Sequence, residues 1–297
     1  MISGGGRVFH SAVGVLLMHA ADNTVSHNLI EDLYYTGISA GWVWGYGESV
    51  SKNNRIEYNR IRDLGHGLLS DMGGIYLLGV QPGTVVRGNV ISDVVKKNYG
   101  GWGVYLDEGC SHVIVEDNLC YNLSSQGFHV HYGRENIVRN NIFAFGGDGQ
   151  AALSRGEEHN AFTFVRNILL SRGRPMFVVQ QGTKKSFQSE LNLFWDLACA
   201  EPTIAVDYRY EDAVFHFENA ASLAAWRAAS GNDLHSAAAD PLFVDAERCD
   251  FRLRPDSPAL ALGFSPFDPS LAGPRPVVLH DWDVTNAVVT VEMGKVN

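Results

Sequence analysis

The chain has 297 residues, 45% of them hydrophobic and 19% charged, and a formal net charge of −10. It is long enough to bury a large core, carries no disordered or single-charge tract, and its negative balance disfavours nucleic acid or an anionic membrane as partner. No apolar run approaches the roughly eighteen residues that cross a bilayer, and Met1 to Gly6 has neither the basic nor the apolar region of a signal peptide. The compartment stays open, a secreted or periplasmic parent included. Cys110, Cys120, Cys199 and Cys249 show neither CxxC spacing nor disulfide crowding and read as small buried apolar residues.

Along the chain an asparagine preceded three residues earlier by an apolar residue keeps returning, as Asn28, Asn59, Asn89, Asn118, Asn141, Asn167 and, more loosely, Asn192. The intervals are 31, 30, 29, 23, 26 and 25 residues. A period of this length with strand-type alternation, no helical periodicity and many glycines marks a β-solenoid, in which each coil buries its apolar face only against its neighbours. The fold class expected is all-β, a right-handed parallel β-helix, with the asparagines stacked at a tight turn where they accept left-handed backbone and bond neighbouring coils.

The coils differ in length. From repeat asparagine to the next glycine-led strand takes nine residues for Asn28 to Gly37 and Asn118 to Gly127, but fifteen for Asn59 to Gly74 and fourteen for Asn89 to Gly103. The two insertions, around Leu64–Met72 and Lys96–Trp102, therefore sit side by side. A third insertion, aromatic, spans Gly41–Glu48. Insertions into a solenoid fall on the face that binds something.

Aligning the strands by their glycines gives two outward columns, Ser39, Tyr76, Tyr105, His129, Ala152 and Gly41, Leu78, Asp107, His131, Ser154. With coils about 4.8 Å apart, Asp107, His131, Tyr105 and His129 form one polar, aromatic patch that Asp71 joins from the adjoining insertion. Carboxyl groups on a concave aromatic surface suit glycoside cleavage, which needs one as general acid and one as base or nucleophile. Read alone, Asp71 is also a turn-former, Asp107 and Glu108 also solvated strand-end charges, and His129 with His131 also metal ligands beside Asp107 or Glu135. Arg134, Glu135, Arg155, Glu157, Glu158 and His159 extend a charged rim. Phosphate-loop and serine- or cysteine-nucleophile motifs are absent.

After about Gly182 the repeat decays. Ala220 to Ser230, closed by Gly231, predicts one short amphipathic helix started near Asn219, and Asp240–Asp245 and Asp250–Leu253 predict final strands. Residues 1–276 are expected to form one β-helix domain with a closing segment from about residue 183, and 277–297 a tail that caps or swaps. A first coil near Val13 to Leu17 with little sequence before it predicts a homo-oligomer, formed through that coil or by the swapped tail.

Three segments carry a resemblance: Ser70-Asp71-Met72-Gly73-Gly74-Ile75-Tyr76, Gly101-Trp102-Gly103-Val104-Tyr105-Leu106-Asp107-Glu108-Gly109, and His129-Val130-His131-Tyr132-Gly133-Arg134-Glu135-Asn136. They resemble the bacterial β-helix glycosidases of glycoside hydrolase family 141, which includes α-L-fucosidase and xylanase activities, and more distantly the family 120 β-xylosidases. The likeness runs from about Arg7 to Asp268, and family members carry a long region before the part corresponding to Arg7. It implies hydrolysis of a complex polysaccharide or oligosaccharide with Asp71 and Asp107 as the catalytic pair. Glu108, His129, His131, Tyr105, Trp102, Arg134, Glu135, Glu158, His159, Trp42 and Trp44 are expected to hold the sugar, with no metal or other cofactor. The rivals are a polysaccharide lyase, disfavoured because the outward columns offer no Lys or Arg, and a carbohydrate-binding β-helix without activity.

Overall fold

The computed structural model describes residues 1–211 and 214–275. Three sheets of nine, nine and seven strands run along one axis, parallel except for the last strand of the second, and up to Leu193–Asp196 consecutive strands of the chain enter the three sheets in turn. Each coil therefore contributes one strand to each face of a right-handed parallel β-helix, as the asparagine period predicts. Parallel strands buried on their inner side read as apolar at alternate positions, and those positions stack. On the first face Ile30, Ile61, Ile91, Cys120, Phe143, Leu169 and Phe194 follow one another through the register. All are fully buried, each worth about 1.5–3 kcal/mol of transfer free energy for a large side chain.

The repeat asparagines form a continuous ladder. The side-chain oxygen of Asn59 accepts from the backbone and side-chain amides of Asn28, and the same pattern passes through Asn89, Asn118, Asn141 and Asn167 to Asn192. One detail differs from expectation. The left-handed residue is the one before each asparagine, namely His27, Tyr58, Gly88, Asp117, Asn140, Arg166 and Leu191, with φ between 53° and 63°. The asparagine is selected by its amide, which reaches along the stack, and not by its backbone.

The glycines that lead the second-face strands also have a packing cause. A Cβ on Gly103 would stand 2.4 Å from the Gly127 carbonyl oxygen, and one on Gly127 would stand 2.6 Å from the Phe143 ring. The coils touch backbone to backbone at this corner, so only glycine fits.

At the C-terminal end the pattern changes. Ala205–Glu211 pairs antiparallel with Val214–Ala221, a hairpin the sequence reading did not foresee. The predicted helix forms over Leu223–Ser230, capped by Ser222 rather than Asn219 and stopped by left-handed Gly231. Its Trp226 is fully buried and stacks on Phe177 and Phe187, closing the core. Phe243–Asp245 and Asp250–Leu253 pair antiparallel, and the tail expected to cap or swap lies outside the described residues. Cys110 and Cys120 are buried as read, but Cys199 is exposed.

Candidate active site

The second face carries the site. Its strands Met72–Val80 and Gly101–Ser111 are nine and eleven residues long where the next, Phe128–Val130, has three. The outward columns have the expected register: Ser39, Tyr76, Tyr105, His129 and Ala152 pair in succession, and Gly41, Leu78 and Asp107 beside them. The two insertions lie side by side. The Asp71 amide donates to the Tyr99 carbonyl at 3.1 Å and the Lys97 amide to the Leu69 carbonyl at 2.7 Å.

Asp71 holds left-handed backbone at φ 61°, a conformation aspartate tolerates, so the turn-former reading holds for this candidate residue. The Tyr35 hydroxyl donates to its carbonyl at 2.9 Å, and its side-chain oxygen accepts from the Tyr105 hydroxyl at 3.3 Å. Burial, then the nearby charge of Asp107, push its carboxyl up to about 6, against a smaller opposing effect of Tyr105. Asp107 has the opposite environment. One oxygen accepts from the Tyr76 hydroxyl at 2.5 Å and the other meets His131 Nδ1 at 3.0 Å. Burial alone would raise its pKa, but the hydrogen bonds from His131, Tyr76 and Tyr105 outweigh it and hold the carboxylate below its ordinary range. The Tyr105 hydroxyl thus bears on the titration of both carboxyl groups.

Asp107 is less open than an outward position implies. Its side chain is 4% exposed, whereas that of His131 in front of it is 32% exposed. Trp102 and His129, expected to touch sugar, are buried at 7% and 3%. They form the layer behind Tyr105: His129 stacks on it at 5.0 Å and 10°, Trp102 lies 4.3 Å from it, and the indole N–H donates to Gln126 at 2.8 Å. Burial holds His129 neutral, its pKa driven down to about 3, and its Nε2 faces the Ser154 hydroxyl. Glu108 is partly exposed and accepts from the Tyr132 hydroxyl at 3.0 Å.

The aromatic insertion runs along the stack instead of away from it. A Cβ on Gly79 would meet the Val43 carbonyl oxygen at 2.0 Å and one on Gly109 the Gly45 carbonyl oxygen at 2.2 Å, so the loop lies flat across two coils. Its far end is held by Tyr46, whose hydroxyl donates to Glu157 and lies 3.2 Å from His159 Nε2. Trp42 packs on Tyr76 at 5.3 Å, and Trp44 is 60% exposed. The Arg134 guanidinium covers the Tyr46 ring at 4.8 Å, and Glu135 and Glu158 are exposed on the rim. Tyr46 and Tyr132 were not singled out from the sequence as site residues. Tyr76 stood in the predicted column and was legible there, whereas the Tyr46–Glu157 contact joins residues 111 apart and left no periodic signal.

Beyond His131 the face opens into a groove of about 410 Å³, lined by His131, Ser154, Arg155, Gln180, Tyr208 and Arg209 among others. That volume lies within the roughly 300–1,000 Å³ of small-molecule sites. Among the described residues no three His, Cys, Asp or Glu side chains converge as a metal-binding group. Chemically the site offers one carboxyl that keeps its proton up to about pH 6 and one that is held ionised below its ordinary range, the arrangement from which acid and base roles arise.

No curated protein matches the chain. A solved structure described as a glycoside hydrolase is similar to it, with 28% identity and a TM-score of 0.40 over 44% of this chain and 22% of that one. The family profile described as a right-handed β-helix region matches residues 7–188, more than half of the chain, and three parallel faces joined by an asparagine ladder are what such a region builds. The chain therefore belongs to the right-handed β-helix family.

Proposed function

We propose that the protein hydrolyses a glycosidic bond in a complex polysaccharide or oligosaccharide, as its resemblance to the β-helix glycosidases of families 141 and 120 implies. The observation that carries this reading is the divergence of two neighbouring carboxyl groups, Asp71 pushed up to about 6 and Asp107 held low. Asp71 acts as general acid, protonating the leaving oxygen. Asp107 is the ionised partner at the anomeric carbon. Tyr105 donates to Asp71 at 3.3 Å and contributes to holding Asp107 ionised. A panel of neutral and acidic glycans, with products read by mass, tests the reading. Addition of water is expected. An unsaturated product would make the protein a lyase, and binding without turnover a module.

The near-complete cover over Asp107 favours a second reading, in which His131 is the working base and Asp107 orients it. Substitution of His131 separates the two. If Asp107 reacts directly, His131 is a gate, and His131→Ala is expected to keep kcat within about tenfold; if His131 is the base, His131→Ala costs the 10²–10⁴-fold usual for such groups. The pH profile is a further check. With Asp71 as the acid, kcat/KM is expected to fall as pH rises through about 6, because the required proton is lost there.

A further inference from the structure

The outward columns of the second face are shut over some coils and open over others. Ser39 and Leu78 are fully buried, and Tyr76, Tyr105 and Asp107 are each 3% exposed, although all five stand on the outer side of the sheet. One coil further on the face opens, and His131 and Ser154 line the groove. The shut coils are those that the Gly41–Glu48 insertion enters and crosses, and its backbone contacts show how closely it is laid down.

The Trp42 amide donates to the Leu78 carbonyl at 3.2 Å, and a Cβ on Gly41 would stand 2.0 Å from that same oxygen. Trp42 holds left-handed backbone at φ 87°, which a bulky residue adopts only where its surroundings impose it, and residues so held gather at functional sites. Its ring lies 5.3 Å from that of Tyr76 and packs against the buried cluster of Tyr76, Leu78, Trp102 and Tyr105. Past Trp42 the backbone rests on Gly79 and then on Gly109. Beyond them Tyr46 is anchored by Glu157, His159 and the Arg134 guanidinium. Fixed at both ends, the insertion is a wall and not a flap.

The wall stands close to the carboxyl groups. Tyr76, on which Trp42 packs, lies one coil before Asp107, about 4.8 Å along the axis, and donates to it at 2.5 Å. On the other side His131 Nδ1 meets Asp107 at 3.0 Å, and His131 borders the open groove of about 410 Å³. A glycan can extend on the His131 side, whereas on the Trp42 side it is stopped by a ring packed on the sheet. We propose that Trp42 ends the site, so that the protein takes only the terminal residue of a glycan and releases it singly, the rest of the chain lying in the groove. Trp42 is then the residue that determines exo action. Cleavage rests on the glycosidase reading of the same site; recognition of a chain end does not.

Each neutral and acidic glycan of the panel, offered as a polymer and as a hexasaccharide labelled at its reducing end with 2-aminobenzamide, tests this when products are sized from the first time point. Release of single residues alone is expected from the wild-type protein. Trp42→Gly removes the ring and suits the left-handed backbone, so it is expected to fold, as circular dichroism reports, and to release longer fragments as well. Longer fragments from the wild type at the first time point, or a folded Trp42→Gly variant that yields none, overturn the proposal and leave the hydrolytic reading standing. Calorimetric titration decides the case of a protein that cleaves nothing. Binding that follows the number of chain ends, when polymer and hexasaccharide are compared at equal mass, upholds the closed end and removes the hydrolytic reading. Binding that follows mass, or no binding, overturns the closed end.

Discussion

Asparagine at position 71 or at position 107 is expected to lower kcat by about 10²–10⁴-fold, and the two variants are expected to differ in the sign of their effect on stability. Folding raises the Asp71 pKa to about 6 from 3.8, so at pH 7 the folded chain carries an ionised carboxylate in a half-buried place that favours the neutral form. The folded state binds the proton more tightly than the unfolded one. That penalty is full above pH 6 and vanishes as pH falls towards 3.8. Asp71→Asn removes it, keeps a residue that accepts left-handed backbone, and is expected to stabilise at pH 7 by on the order of 1–3 kcal/mol, a rise of a few degrees in Tm. The gain should disappear below about pH 4.

Asp107 behaves oppositely because its pKa is depressed. The charge it places against Tyr76 and His131 stabilises the folded state above the unfolded pKa and ceases to do so as pH falls through the folded value. Asp107→Asn is therefore expected to lower Tm at pH 7 and to match wild type in strong acid. Thermal unfolding from pH 3 to 8, with kcat on an ordinary and an activated aryl glycoside, separates the roles. Rescue by the activated leaving group should occur in Asp71→Asn alone. An Asp71→Asn protein that is both active within tenfold and no more stable than wild type would remove Asp71 from the mechanism and its burial from the argument.

The parts of the fold that repeat were legible, and the parts that do not repeat were not. A coil returns the same contact every 23 to 31 residues, so a single side-chain requirement, such as the ladder amide or the glycine at a backbone contact, is written several times over. The column of Tyr76, Tyr105 and His129 follows from that register alone. How deep each column residue lies does not follow from it. Asp107 and His129 stand in the outward columns as read, yet each is only 3% exposed, and Trp102, expected to hold sugar, is buried as well. The Gly41–Glu48 insertion was recognised by its aromatic composition, but the partner of Tyr46 is Glu157 and not the neighbouring Glu158, a choice set by one loop's path.

Removing one rung from the middle of the asparagine ladder is expected to do more damage than any exposed substitution. Asn118 is fully buried. Its side-chain amide donates to the carbonyls of Val86 and Glu116, each at 2.9 Å, and to the Asn141 side chain at 3.0 Å. Its oxygen accepts from the Asn89 backbone amide at 3.0 Å and side-chain amide at 2.9 Å. Alanine there leaves the Asn89 donors and the Val86 carbonyl without those partners inside a core that admits no bulk solvent, at about 1–3 kcal/mol for each group. The sum, on the order of 3–6 kcal/mol, is a large share of the about 5–15 kcal/mol by which a domain is folded. Because coils touch only their neighbours, the loss falls between two halves of the stack, and denaturant unfolding should broaden or split into two transitions. Asn28 provides the control. It lies partly exposed at the first rung and donates to Ser26 and Asn59 at 3.0 and 2.9 Å; Asn28→Ala leaves the Asn59 oxygen its bond from the backbone amide of residue 28 at 3.0 Å, and should cost about 1 kcal/mol or less. Equal losses for the two variants would mean that the ladder's strength does not come from burial, and that the stack is held by its apolar columns alone.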